Sequence, residues 1–319
     1  MKYTNHFNLA PEVVNAIVKD RYTVEGEAPS DYSVTDIINP IQVTILKKKY
    51  KDDLVQRDVV DLFYSFLGSV AHQVLEDSTE GMDHTTAEER LYMKTNGVTI
   101  SGKIDCYQHE TKDRVAQIRD YKTTKVWNII KGDHSKWEEQ VNIYALLLRE
   151  NKKPIEKLII TCLLFDWKKQ DTYKENYPNC PIIDIEIPLW TEKKQREYLN
   201  KKISDLEDAK NKTDTEIFSY YPCTEEDMWQ SFNGYSIFKY GGKRAIKTFE
   251  SNLEAIRHLS NTKSMSSKTH YIEKRLGNRK RCFEHCDVAN HCMQHKTLCG
   301  NEGVEHTYPN HNIHIKPLF

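Results

Sequence analysis

The run KLIITCLLFDW, residues 157–167, constrains this chain more than any other feature, because its apolar residues follow one another without alternation. A strand with one wet face alternates apolar and polar side chains. A run that does not alternate suits a strand buried on both faces, inside a sheet that carries helices above and below. The neighbouring segments supply those parts. Just before it, SKWEEQVNIYALLLRE places Val141, Ile143, Tyr144, Leu147 and Leu148 at helical spacing. Earlier still, from Glu89 onward, LYMKTNGVTISGKIDCYQ reads as two short strands around a turn at Asn96-Gly97, and DRVAQIRDYKTTK as a third. Residues 1–80 read as helical: SVTDIINP offers Ser33 or Thr35 as an N-cap, and DVVDLFYSFLGSVAHQVLED forms a helix carrying His72. After the apolar run, PIIDIEIPLW adds an edge strand and TEKKQREYLNKKISDLEDAKN a charged amphipathic helix. The expected fold is α/β (α+β): a mixed central sheet flanked by helices.

At 319 residues the chain is long enough to bury a sizeable core. It carries 46 Lys and Arg against 47 Asp and Glu, so no global field announces a polyanionic partner. The positive charge is concentrated instead: residues 239–281 hold twelve Lys and Arg against three acids. Within that stretch SIFKYGGKRAIKTF interleaves Phe238, Tyr240 and Phe249 with cations, which suits contact with a nucleic-acid strand and equally suits a solvated basic hairpin. No run of 18 apolar residues and no leader-like N-terminus is visible, so the expectation is a cytoplasmic protein without a membrane partner. No GxxxxGK[ST] loop is present, which excludes a nucleotide-driven motor of that type.

Two predicted neighbouring strands end in GKID and RDYK, bringing Asp105 and Asp120 together with Lys122. At the strand period of two, Asp120 and Lys122 share a face while Tyr121 turns away and keeps only its backbone carbonyl to offer. Two carboxylates and a carbonyl make an oxygen-rich site suited to Mg²⁺ or Mn²⁺. An ion there can generate hydroxide and clamp a phosphoryl group, with Lys122 positioning water or stabilising developing charge. Taken alone, Asp-X-Lys reads more readily as a strand-end ion pair, and His72 as an ordinary core or surface histidine. Glu89, with Glu88 beside it, is a further acid of the region and is left out of the metal set.

The order of these elements adds what each lacks singly: His72 on a helix, Gly102-X-X-Asp105, Asp120-X-Lys122, then Gln140-X-X-X-Tyr144 on a helix. This series resembles the RecB-like branch of the PD-(D/E)XK nuclease superfamily, and within it the stand-alone phage-type exonucleases, over roughly residues 30–295. The resemblance implies a restriction-endonuclease-like core and a DNA nuclease, with Asp105, Asp120 and Lys122 catalytic. It implies His72, Asp105, Asp120 and the Tyr121 backbone as ligands of Mg²⁺ or Mn²⁺, and Gln140 and Tyr144 as residues that contact DNA or brace the site. A recombination or annealing protein is an expected partner. The corresponding division of the chain is 1–80 as the N-terminal helical part of the nuclease domain, 81–215 as its core, 216–300 as a basic and cysteine-bearing segment closing onto the core, and 301–319 as a tail.

Of eight cysteines, Cys282, Cys286 and Cys292 fall within eleven residues and Cys299 follows closely, a pattern that points to metal ligation in a chain with no export signal. Arg279, Lys280 and Arg281 are expected to lower the thiol pKa values. Spacing leaves the fourth ligand open between Cys223 and Cys299, with His285, His291 and His295 able to complete a zinc site. The same resemblance implies a 4Fe–4S cluster held by Cys223, Cys282, Cys286 and Cys292, with Zn²⁺ as the alternative. Cys106, Cys162 and Cys180 are expected to be small buried hydrophobes. The competing functional reading is a non-catalytic nucleic-acid-binding protein with a structural zinc or iron–sulfur site.

Overall fold

A computed structural model describes residues 3–19, 28–231, 234–275 and 277–299; the expected tail, 301–319, and the side chain of Cys299 lie outside the described residues. The chain divides into two compact units, one of residues 1–45 and 56–211 and the other of residues 46–55 and 212–319.

The elements of the first unit are β1 (Tyr3–Thr4), α1 (Pro11–Val18), β2 (Tyr32–Ser33), α2 (Val34–Ile38), α3 (Ile41–Lys49, running into the second unit), β3 (Arg57–Asp58), α4 (Phe63–Ser78), β4 (Thr85–Thr95), β5 (Val98–Gln108), β6 (Gln117–Thr124), α5 (Val126–Lys131), α6 (Ser135–Glu150), β7 (Lys157–Leu164), β8 (Ile182–Ile187) and α7 (Glu192–Lys210). Ser33, not Thr35, caps α2: its hydroxyl accepts from Asp36 N–H while the Asp36 carboxylate accepts from Ser33 N–H.

A six-stranded mixed sheet runs in the order β2-β5-β6-β7-β8, with β4 paired to β5. The apolar run is β7, flanked by β6 in parallel and by the edge strand β8 antiparallel. Helix α6 buries every residue from Val141 to Leu148. It comes so close to β5 that a Cβ on Gly102 would sit 2.7 Å from a Leu147 methyl, 2.8 Å from Val34 and 2.9 Å from the Tyr144 ring. The missing side chain of the GXXD glycine therefore sets the helix-to-sheet distance.

Strands β4 and β5 form the expected hairpin, with Asn96 and Gly97 at φ +49° and +80°, as a two-residue turn of this kind requires. Strand β4 is longer than the sequence suggests. The polar stretch TTAEER lacks a strand-like pattern, and its pairing with β5 makes it one.

The second unit comprises residues 46–55, α8 (Asp214–Tyr220), β9 (Gly234–Lys239), β10 (Lys247–Phe249), α9 (Asn252–Asn261), β11 (His270–Arg275) and α10 (Met293–Cys299). Its three strands pair antiparallel in the order β10-β9-β11. The early segment 46–55 is tied in by specific contacts. Val55 N–H bonds Asp287 O at 2.8 Å, the Tyr50 ring stacks on His291 at 3.8 Å, and Lys49 and Tyr50 both donate to Asp214 at 2.6 Å. Leu46 and Val55 are buried. Among the described residues no helix is long and apolar enough to cross a membrane.

Candidate active site

The β5–β6 ladder is short. It pairs Cys106 with Arg119, Tyr107 with Ile118 and Gln108 with Gln117, and then the strands part. The next facing positions in that register are Asp105 and Asp120. Facing residues on antiparallel strands point to the same side of the sheet, so the two carboxylates share one face just where the ladder opens. Asp105 Oδ2 accepts the Tyr121 N–H at 2.8 Å, satisfying a backbone donor that the parting strands leave without a ladder partner.

Asp120 is 1% exposed, and burial pushes its carboxyl above the usual range against the pull of Lys122. Lys122 Nζ lies 2.7 Å from Asp120 Oδ2 and donates to Gln140 Oε1 at 2.9 Å; Gln140 in turn donates to the Tyr144 hydroxyl at 3.0 Å. Gln140 and Tyr144 thus brace the lysine from α6. Asp120 Oδ1 is buried with no hydrogen-bond partner among the described residues. A buried carboxylate oxygen left so is costly unless a cation meets it.

Helix α4 brings His72 over this edge. Its Nε2 lies 3.1 Å from Tyr121 O, and its Nδ1 lies 3.4 Å from Asp105 Oδ1 and 3.9 Å from Glu88 Oε1. A ring nitrogen against a carbonyl must donate its proton, which leaves Nδ1 facing two carboxylates. A proton or a metal ion is needed between them. The bonds to Asp105 and Glu88 accordingly raise the His72 pKa to about 10.

Glu88 is the participant that sequence reasoning missed. On β4 it stands opposite Asp105 of β5, between the pairs Ala87–Cys106 and Glu89–Ile104, with φ at +52°. This left-handed geometry is rare for a residue with a side chain and costs on the order of 1–3 kcal/mol. Glu88 pairs with Lys103 and points at His72, whereas Glu89 pairs with Lys153 away from the site. Among the described residues, His72, Glu88 and Asp105 form the group of three metal-ligating side chains whose donor atoms all lie within 4.8 Å of one another. The signal was present: counting back from the Asn96-Gly97 turn sets Glu88 opposite Asp105. A cavity of about 520 Å³ opens over the site, lined by Asp105, Asp120, Lys122, His72, Glu88 and Tyr64.

In the second unit, the Cys223 backbone is bonded to the Gln294 side chain. The Gln294 side chain accepts the Cys223 N–H at 2.8 Å and donates to its carbonyl at 2.9 Å, two residues from Cys292. Cys292 Sγ accepts the His295 N–H at 3.4 Å. The cation-rich setting does not depress the thiols as expected. Burial, reinforced by the neighbouring Cys286 and Cys292, pushes Cys282 up to about 12 despite Arg279 and Arg281, and burial also raises Cys292. Both guanidinium groups are engaged by backbone carbonyls, Arg279 by Leu298 O and Arg281 by Asp227 O, each at 3.2 Å. Cys106 and Cys162 are buried in the sheet of the first unit, but Cys180 is exposed.

The basic segment forms β9, β10, α9 and β11. Phe238 is not available for base stacking, since it is 5% exposed and stacked on Tyr271; Tyr240 is exposed.

No family model matches the chain, and no curated protein matches it. Among solved structures it is similar to the crystal structure of SSO0001, at 17% identity over 60% of this chain and 83% of that one, with a TM-score of 0.39, a likeness too loose to carry an argument. What the chain itself establishes is a mixed sheet flanked by helices, with an acidic, histidine- and lysine-bearing edge on it.

Proposed function

We propose that the chain is a divalent-metal-dependent DNA nuclease, an exonuclease of little sequence specificity acting in recombination, repair or degradation of DNA. The observation that carries this reading is the meeting of Asp105, Asp120 and Lys122 where β5 and β6 part, with a buried Asp120 oxygen that lacks a donor. Mg²⁺ or Mn²⁺ would be held by His72, Asp105, Asp120 and the Tyr121 carbonyl, and Glu88 joins that set. Such an ion lowers the pKa of bound water and offsets charge on a phosphate. Lys122, fixed by Asp120 and Gln140, is in place to donate to a phosphate oxygen or orient the attacking water. The Lys and Arg of residues 239–281 suit backbone contact with DNA.

Cys223, Cys282, Cys286 and Cys292 are proposed to hold a 4Fe–4S cluster. Zn²⁺ held by the same cysteines is the alternative. A cytoplasmic setting and a recombination or annealing partner complete the proposal.

The test is incubation of end-labelled single- and double-stranded DNA, linear and circular, with Mg²⁺ or Mn²⁺. Loss of label that depends on the metal and is abolished by Lys122→Ala is the expected result. DNA retardation without hydrolysis at any metal concentration would replace this reading with a binding protein.

A further inference from the structure

Three exposed side chains stand together around Tyr64, a residue that lines the cavity. Tyr64, at the start of α4, is 59% exposed, and Phe165, just past the end of β7, is 46% exposed. Their ring centroids lie 5.4 Å apart with the planes tilted by 31°. Lys125, just past β6, sets its ammonium 5.5 Å from the Tyr64 centroid and 5.7 Å from that of Phe165. Two large apolar faces turned to solvent contribute little to the core of this unit. Phe165 is anchored through its backbone, donating N–H to Thr124 O at 3.2 Å, so the ring is presented from the end of a paired strand rather than from a loose loop.

The placement carries the argument further than the exposure does. Tyr64 lines the same cavity as Asp105, Asp120 and Lys122. It lies eight residues before His72 on one helix, a distance of about 12 Å along the axis. Tyr64 and the candidate phosphate site therefore open on one cavity.

The geometry points to a binding platform for the unpaired bases of a single-stranded DNA segment, formed by Tyr64 and Phe165 with Lys125 meeting the adjoining phosphate. The substrate class follows from which faces are on offer. Ring faces stack on base faces, which a duplex hides in its own stack and a single strand exposes. A cation beside the rings supplies the complementary charge for the backbone between stacked bases. The platform recognises no base edge, in keeping with tolerance of sequence. This inference rests on the nuclease reading for the nature of the polymer, and it adds that the strand entering the site is unpaired.

The test measures binding in the presence of a chelator, so that no cleavage is needed. Fluorescence anisotropy with a labelled oligo(dT) and with a blunt hairpin duplex compares the full-length protein with Tyr64→Ala/Phe165→Ala. Single-strand affinity is expected to exceed duplex affinity, and to fall roughly tenfold or more in the double variant, the size of a lost base stack. Duplex binding is expected to stay within about twofold. The swap Tyr64→Phe/Phe165→Tyr keeps both ring faces and is expected to keep single-strand affinity, which separates stacking from damage to the fold. Unchanged oligo(dT) affinity in the alanine variant, or an equal loss for the duplex, would overturn the platform. The nuclease reading fails separately: a protein that binds oligo(dT) through these rings but cleaves no DNA with any metal keeps the platform and loses the activity. Cleavage that persists with an unaltered KM for single strands in the alanine variant does the reverse.

Discussion

Asp105 Oδ2 accepts the backbone N–H of Tyr121 at 2.8 Å, so the carboxylate that faces the candidate metal position also ends the β5–β6 ladder. The two roles can be separated. Asp105→Asn keeps an oxygen for the N–H and removes the charge; Asp105→Ala removes both. Urea unfolding is expected to put Asn within about 1 kcal/mol of the parent and Ala about 1–3 kcal/mol below it, the cost of an unsatisfied donor. Both variants are expected to lose metal-dependent cleavage.

Lys122 and Asp120 form a nearly enclosed ion pair, in which the lysine side chain is 22% exposed and the carboxylate 1%. Removing the cation alone leaves a buried negative charge. Lys122→Met is therefore expected to cost roughly 3–5 kcal/mol in apo-protein stability. Lys122→Met/Asp120→Asn is expected to recover most of that, while neither variant cleaves DNA. A double variant no more stable than the single one would show that the two side chains are not energetically coupled.

Glu88 and Glu89 are adjacent in sequence and opposite in environment. Glu88→Gln is expected to weaken Mn²⁺ binding on the order of tenfold, as loss of a group supporting a metal site does. Glu89→Gln, which removes only the partner of Lys153, is expected to leave it unchanged. Isothermal titration without DNA reads both directly.

Cys223 is far in sequence from the other three cysteines, and its backbone is bonded to the Gln294 side chain. Protein purified without oxygen is expected to be brown, absorbing near the blue edge of the visible, and Cys223→Ser is expected to lose colour and iron together. A colourless protein with stoichiometric zinc would reject the iron–sulfur assignment.

The parts of this fold that repeat were legible in the sequence. The unbroken apolar run became β7, the 3.6-residue spacing became α6, and Asn96-Gly97 became the hairpin turn, because each is a local pattern with a local cause. That Asp105 and Asp120 come together, and that Asp120 and Lys122 share a face, followed from neighbouring strands and strand alternation; the bond from Lys122 to Gln140 joins a strand to a helix and has no such local cause. What stayed hidden depends on partners rather than on pattern. Thr85 to Arg90 become strand by pairing with β5, and Glu88 is turned into the site by a backbone angle that its residue type does not favour. The thiol pKa values were misread for a related reason: the number of nearby cations was visible, but not how deeply Cys282 would be buried.

The discontinuity of the second unit reaches beyond the finished structure. Because residues 46–55 belong with residues 212–319, a ribosome must deliver some 160 further residues before the early segment meets its own partners. The Tyr50 ring, the Val55 N–H and the Lys49 ammonium wait through that interval for His291, Asp287 and Asp214. A gene fragment ending at residue 211 would make the delay permanent and leave these groups without the partners they have in the full chain. Expression of the sheet-bearing half by itself therefore calls for a change within residues 46–55 as well as a stop codon.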